Sequence, residues 1–399
     1  VKILHAVESY YPSVSGSPEV VRHISERLVK MGHDVTVAAR KLPERKSLTH
    51  NGVKIVEFDI KSGSGFGMSS VHGLKGDTRK YQDFLRNGDF DIVMTYAAQQ
   101  WTTDLMFDVL DEIKAKKVIV PCGYSALGSK EFEDYYKKMP DYLRRFDAAV
   151  YMCEDYRDIN FAKDHRLKNS HFIPNGADET EFSEPLSPGR KRELKKKYGL
   201  RGLVIMTIAN YTGEKGHKEL AHVFKRLPIP RATLISAGGM TPQPGPYFGY
   251  FINDVDRINK SRKFPGKQVV LVDGVKREEV RDLLKLSDLF VFFSNIECSP
   301  LVLFESAAAG VPFVASAAGN SAEIARWTGG GIIVNSKKMP YGRVAVNLND
   351  AILQISKLAY NPRRRRALGK TAHHAWEQKY TWEILAKRYE KLYLDLLKQ

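Results

Sequence analysis

Cysteine is scarce in this chain of 399 residues: Cys122, Cys153 and Cys298 are the three, and they lie far apart. They form no Cys-x-x-Cys pair, which argues against a thiolate zinc site or a disulfide framework and fits a reducing compartment. Long apolar runs are missing too. The least polar stretch, Leu301 to Gly319, is broken by Glu305, Gly310 and Pro312 and reads as a buried loop, helix and strand rather than a membrane span. Val1-Lys2-Ile3-Leu4 carries no charged leader, so no signal peptide is expected and the expected location is cytoplasmic. The 11 histidines form no His-Glu-x-x-His pattern, and the chain has no internal repeat and no low-complexity tract. Charge of one sign is also short: 46 acidic residues face 62 basic ones, a net +16. That surplus points to an anionic partner, whether a nucleic acid, an anionic membrane or a phosphorylated small molecule.

The length suits two domains of average size, and an apolar fraction of 43% with 27% charged residues suits globular folding. The surplus is uneven. Residues 1–180 hold 26 basic and 26 acidic residues, whereas 181–399 hold 36 and 20. Two runs, Arg190–Lys197 and Arg363–Arg366, account for much of it, and each reads first as a solvated helix face.

Short apolar strands alternate with helical patterns along the chain. Ile3–Val7, a loop over Glu8–Pro18, a helix with Val20, Val21, Ile24, Leu28 and Val29, then Val35–Ala38 make a βαβ unit of a parallel sheet. Strands are expected at Val53–Phe58, Ile92–Met94, Val118–Val120 and Ala148–Val150, with a Gly/Ser-rich mobile loop at Ser62–Gly76. A second series runs through Val204–Ile208, Thr233–Ala237, Val269–Val272, Leu289–Phe293, Pro312–Ala315 and Gly331–Val334. The fold class is therefore α/β, with two doubly wound Rossmann-like domains. The boundary is expected near Asn175–Pro188, and Thr381–Leu397 forms a closing amphipathic helix. Ligands of such folds bind where the carboxyl ends of the strands meet helix N-termini.

The stretch from Ser294 to Pro312 follows a strand and opens a helix. Glu297 and Glu305 flank free N–H groups at Leu301 and Val302, a place for an anion; Pro300 has no N–H to give. A carboxylate on each side suits the hydroxyls of a sugar diphosphate, although ordinary helix-start glutamates look the same. Here the sequence resembles a known family. Glu297–Glu305 followed by Ser306–Pro312 is similar to the Glu-x7-Glu signature of retaining GT-B glycosyltransferases of family four. Other marks follow in order: Tyr11-Pro12 with Gly16, the His171–Asp178 turn, Glu214-Lys215-Gly216, Asp273-Gly274-Val275, Gly319–Glu323, Gly329–Val334 and Tyr380–Glu383. The chain departs from the family at Asn210, where a diphosphate arginine is usual, at Gly16-Ser17, where a glycine pair is usual, and at Pro121-Cys122-Gly123-Tyr124, where a histidine is common.

The resemblance implies a GT-B fold with two domains facing a central cleft. Residues 1–180, completed by a 381–399 helix, would bind the acceptor, and residues 181–380 would bind the nucleotide sugar. It implies hexosyl transfer with retention from a nucleotide-diphosphate sugar, UDP being the family's commonest donor, to a hydroxyl of a glycan or lipid-linked acceptor. The catalytic residues would be Glu297, orienting the sugar, and Lys215, on the leaving diphosphate. Gly16, Asn210, Gly274, Val275, Ser299, Pro300, Leu301, Val302 and Glu305 would complete the donor site, with Glu305 on the ribose. Glu8, Tyr96, Cys122, Gly123 and Tyr124 would form the acceptor side, and a protein base would be sought at Glu8, His72 or Tyr124. No cofactor and no metal is expected. Asp89-Phe90-Asp91 and Asp254-Val255-Asp256 read as solvated carboxylates, and His217 and His373-His374 as surface or cap residues. Glu131–Phe146 mixes aromatics with lysine and arginine; it reads either as a core-facing helix, interrupted at Pro140, or as a surface for peripheral contact with anionic membrane. A non-catalytic sugar-nucleotide-binding or scaffolding protein of the same fold is the alternative. Nucleic acid is not an expected partner, because the basic runs lack interleaved aromatics.

Overall fold

Parallel pairing dominates the computed structural model, which describes residues 1–13, 16–62, 69–239, 246–260, 263–264 and 266–399, the side chains of 246–248 excepted. The contacts divide the chain into two units, Val1–Asn175 with Trp382–Gln399, and Gly176–Thr381.

In the first unit the strands are β1 (Lys2–Ala6), β2 (Asp34–Arg40), β3 (Thr49–His50), β4 (Val53–Phe58), β5 (Ile60–Ser62), β6 (Leu74–Gly76), β7 (Ile92–Tyr96), β8 (Lys116–Val120), β9 (Ala148–Tyr151) and β10 (Ser170–Phe172). Eight of them form one sheet in the order β10-β9-β8-β7-β1-β2-β4-β3, parallel except for the short β3–β4 pair. The helices are α1 (Gly16–Lys30), α2 (Thr78–Asn87), α3 (Trp101–Phe107), α4 (Glu133–Arg144) and α5 (Arg157–Asp164). The central strand β7 is Ile-Val-Met-Thr-Tyr and buried throughout, as a strand covered on both faces must be. On one face α1 packs against the closing helix α15 (Trp382–Leu397). His5 joins them to the sheet: its Nδ1 meets Ser25 Oγ at 2.8 Å and its Nε2 meets Tyr393 Oη at 3.0 Å. Burial pushes the His5 pKa down to about 3, so this bridge is neutral.

The second unit carries α6 (Glu179–Phe182), α7 (Pro188–Lys197), α8 (His217–Arg226), α9 (Pro246–Lys260), α10 (Arg277–Leu286), α11 (Leu301–Ala308), α12 (Ser321–Thr328), α13 (Leu348–Ala359) and α14 (Pro362–Lys379). Its strands are β11 (Leu203–Ile208), β12 (Ala232–Ala237), β13 (Lys267–Val272), β14 (Leu289–Phe292), β15 (Phe313–Ala315) and β16 (Gly331–Ile333), followed by a hairpin of β17 (Ser336–Lys338) and β18 (Val344–Val346). The sheet order β13-β12-β11-β14-β15-β16 reverses direction between β11 and β14. Separate apolar clusters fill its two faces, one around Phe290, Phe304 and Trp376 and the other around Phe224, Phe251 and Ile355. Two Rossmann-like units of this kind make up the GT-B fold.

Several expectations need correction. Residues 63–68 of the Gly/Ser-rich loop lie outside the described residues, but 69–76 are ordered. Ser69, Ser70 and Tyr135 all donate to buried Asp104, and Leu74–Gly76 pairs antiparallel with Ile60–Ser62. Helix α4 runs through Pro140 without a break, because Tyr136, Met139 and Leu143 pack into the core and outweigh the lost backbone hydrogen bond. The membrane reading of this segment therefore loses its apolar face to the protein interior, while three of its four cations are paired: Lys137 with Glu133, Arg144 with Asp141, Arg145 with Asp111. Among the described residues no helix is long and apolar enough to cross a membrane.

Candidate donor and acceptor sites

The loops that leave β11 and β14 at their carboxyl ends are fastened to each other. Asn295 N and Ser294 Oγ donate to Glu214 O at 2.7 and 3.3 Å. Gly216 makes this approach possible. Its φ is +71°, and a Cβ there would stand 2.0 Å from Phe293 O. The result is a direct contact between the two expected catalytic residues, Lys215 Nζ donating to Glu297 Oε1 at 2.6 Å. Their side chains are 29% and 13% exposed, which leaves the pair reachable by a ligand. Behind Glu297, Gly319 packs so closely that a Cβ would meet Cys298 O at 2.4 Å, and Asn320 N donates to Cys298 O at 2.9 Å.

Pro300 caps α11 in an extended conformation, with Ser299 buried before it. Among the described residues nothing accepts from the N–H groups of Leu301 and Val302. Such donors, with the helix dipole, are of the kind that can hold an anion, and they begin four residues beyond Glu297 in the chain. Asn210 is exposed at the end of β11, its Oδ1 accepting from Gly239 N at 3.3 Å. Gly274, with φ +66°, and half-buried Val275 lie just before α10.

Two charged partners escaped the sequence reading. Glu305 is not a lone ribose acceptor: Arg277 Nη2 bonds its Oε1. Arg343, in the turn of the β17–β18 hairpin, pairs with Glu214, and Val344 N donates to Asn295 O at 2.8 Å. Both arginines stand far from their partners in sequence, so no local pattern announces them. His217 is not a surface residue but buried against Tyr211 and Phe251, and burial pushes its pKa down to about 4. His373 is a helix cap, its Nδ1 bonding Ala308 O at 2.6 Å.

In the first unit Glu8, Gly16 and Tyr96 come together around a cavity of about 210 Å³, with Ser17, Ala97 and Gln100. It opens beyond the carboxyl ends of β1 and β7. Glu8 is half-buried, with Arg40 Nη2 3.9 Å away. Positive φ values at Ala97, Gln99, Cys122 and Tyr124 cluster just after β7 and β8, a concentration of strain of the kind functional loops hold. Gln99 supports it, Oε1 accepting from Tyr136 Oη at 2.8 Å and from Ser125 Oγ and Ala126 N at 3.3 Å. The Tyr124 side chain is not open to an acceptor as expected. It is buried against Tyr136 and Phe161, and burial holds its phenol well above its ordinary pKa. Cys122 is half-buried, and Gly123 N donates to buried Asp158 at 2.8 Å. His72 Nε2 meets Glu131 at 3.1 Å, packed on Phe132, which leaves Glu8 as the candidate base that lines the cavity.

Neither Asp-x-Asp is free. Asp89 and Asp91 both bond Lys2, and Asp254 and Asp256 pair with Lys225 and Lys260. Asp254 is less solvated than expected, at 15% exposure. Among the described residues no three histidine, cysteine or acidic side chains stand close enough to share a metal ion.

Residues 190–372, spanning most of the second unit, match the family of glycosyl transferases group 1. The chain carries a glycosyl transferases group 1 domain on a GT-B fold. Over 407 residues it is 22% identical to the N-acetyl-alpha-D-glucosaminyl L-malate synthase of Bacillus anthracis, covering 97% of this chain and 96% of that one. It is 24% identical to the alpha-monoglucosyldiacylglycerol synthase of Acholeplasma laidlawii over 98% and 96% of the two chains. Anabaena Alr3699/HepE, solved in complex with UDP and glucose, superposes with a TM-score of 0.75 at 14% identity, covering 98% of each chain. The similarity to that structure is one of fold.

Proposed function

We propose that this glycosyltransferase moves a hexosyl group from a nucleotide-diphosphate sugar, UDP-sugar being favoured, to an acceptor hydroxyl with retention of configuration and without a metal. The observation that carries the reading is the Lys215–Glu297 contact beside the open N–H groups of α11. As the glycosidic bond breaks, negative charge builds on the diphosphate. Lys215 and the Leu301 and Val302 N–H groups are preorganised donors for it. Arg343, held at Glu214, supplies a further cation where Asn210 stands in place of the expected arginine. Glu297 then turns from Lys215 to the hydroxyls of the sugar, and Glu305 receives the ribose.

The cavity at Glu8 and Tyr96 is the acceptor side in this reading. The named relatives differ here, one being named for L-malate and the other for a diacylglycerol glycoside, so their names support an acceptor with a hydroxyl and no narrower class. A UDP-bound neighbour of the same fold supports the choice of base. A thermal-shift panel of UDP, GDP, ADP and their sugars tests the donor. Ligand at 100 times its Kd adds about 2.7 kcal/mol of stability. A shift with UDP and its sugars is expected, and a melt that no nucleotide moves refutes the donor site.

A further inference from the structure

The two carboxylate oxygens of Glu305 are not equivalent. The residue is 8% exposed. Its Oε1 accepts from Arg277 Nη2, while among the described residues nothing donates to Oε2. Arg277 opens α10, two residues beyond Val275, and is itself gripped from another side. Its Nε and Nη2 donate to Glu181 Oε1 and Oε2 at 3.3 and 3.0 Å, Glu181 lying on α6. Three elements thus meet in a carboxylate–guanidinium–carboxylate chain. The charges of Glu305 and Glu181 hold the Arg277 pKa above its ordinary value, so the cation is permanent. Burying a carboxylate this far is costly without a partner, and a planar guanidinium can satisfy one carboxylate while being fixed by a second.

We propose that Arg277 is a positioning residue for the donor: by holding Oε1 it fixes the Glu305 side chain and presents Oε2 to the ribose hydroxyls of the nucleotide. Glu181 fixes the arginine in turn. This rests on the donor-site reading above. It makes a specific demand on ligand chemistry. A nucleotide lacking the 2′-hydroxyl gives up part of what Oε2 accepts, so discrimination between ribose and deoxyribose depends on the orientation that Arg277 imposes.

The test uses the full chain and isothermal titration with UDP and 2′-deoxy-UDP, or the GDP or ADP pair if that base gives the larger melting shift. Wild type is compared with Arg277→Met, Arg277→Lys and Glu181→Gln. Wild type should bind the ribonucleotide at least several-fold more tightly than its deoxy form. Arg277→Met should weaken the ribonucleotide by about tenfold and leave the deoxynucleotide within about twofold, so that the ratio collapses towards one. Arg277→Lys should restore part of the ratio. Glu181→Gln should lower it modestly, and carries the test if Arg277→Met does not fold. A ratio unchanged by the substitutions, or an equal loss for both nucleotides, overturns the assignment while leaving the donor site intact. A wild type that binds none of the nucleotides overturns the donor site, and this assignment with it.

Discussion

At Gly216 the absence of a side chain decides whether the lysine before it reaches Glu297. Replacing it with alanine adds a Cβ 2.0 Å from a carbonyl oxygen at a positive φ, so Gly216→Ala should cost about 2 kcal/mol or more in urea unfolding and reduce turnover as Lys215 is displaced. A histidine provides a second test at this scale. His5 stays neutral in the fold, its pKa near 3 against the ordinary 6.5. The unfolded chain takes up a proton below pH 6.5 that the folded chain refuses. Stability from this source is intact above pH 6.5 and is lost as pH falls towards 3, by up to about 1.4 kcal/mol per unit. Melting curves from pH 7 to 4 should show that slope together with a like contribution from buried His217, and His5→Gln should remove the His5 part of it. The two glutamates were legible through the resemblance to the Glu-x7-Glu signature, since the helix start they bracket looks the same around ordinary glutamates. Arg277, Arg343 and the burial of Tyr124 were not, because each depends on contacts between elements remote in the chain.

Among the elements, α11 bears most of the proposed chemistry, and its first turn can be altered without unfolding it. Pro300 is already extended, a conformation that a following proline favours, and proline is tolerated at the first helical position. Leu301→Pro should therefore keep the fold, measured by circular dichroism, while removing one anion donor. UDP affinity should fall by about tenfold, the value of one hydrogen bond to a charged group. Unchanged affinity would mean the diphosphate lies elsewhere. The parallel strands were legible element by element, since buried strands are continuous apolar runs. The short antiparallel pairs β5–β6 and β17–β18 were not: they are three residues long, and half their residues are exposed. α4 was legible as an amphipathic helix but not in its direction, because an apolar face reads the same whether it meets a core or a membrane.

Taken as a whole, the molecule keeps its charge where the proposed anion binds. Gly176–Thr381 has 32 basic and 19 acidic residues, a surplus of 13, while the remainder has a surplus of 3. Three of the ten cations in the two basic runs are committed elsewhere: Arg190 to Asp282 and Glu193, Lys197 to Glu279, and Arg365 to the carbonyls of Leu358 and Ala359. In the proposed donor site the attraction for a nucleotide diphosphate comes from Lys215, Arg343 and the α11 amides, and its affinity should weaken with salt by about as much as two charge contacts allow. The most direct measurement is the rate of UDP release from UDP-sugars by the full chain in the presence of acceptor, wild type beside Glu297→Gln. The account predicts release by the wild type and a loss of about a hundredfold in the variant, with UDP affinity nearly unchanged. Equal rates in the two proteins, or no release by a wild type whose melt UDP shifts, would contradict it.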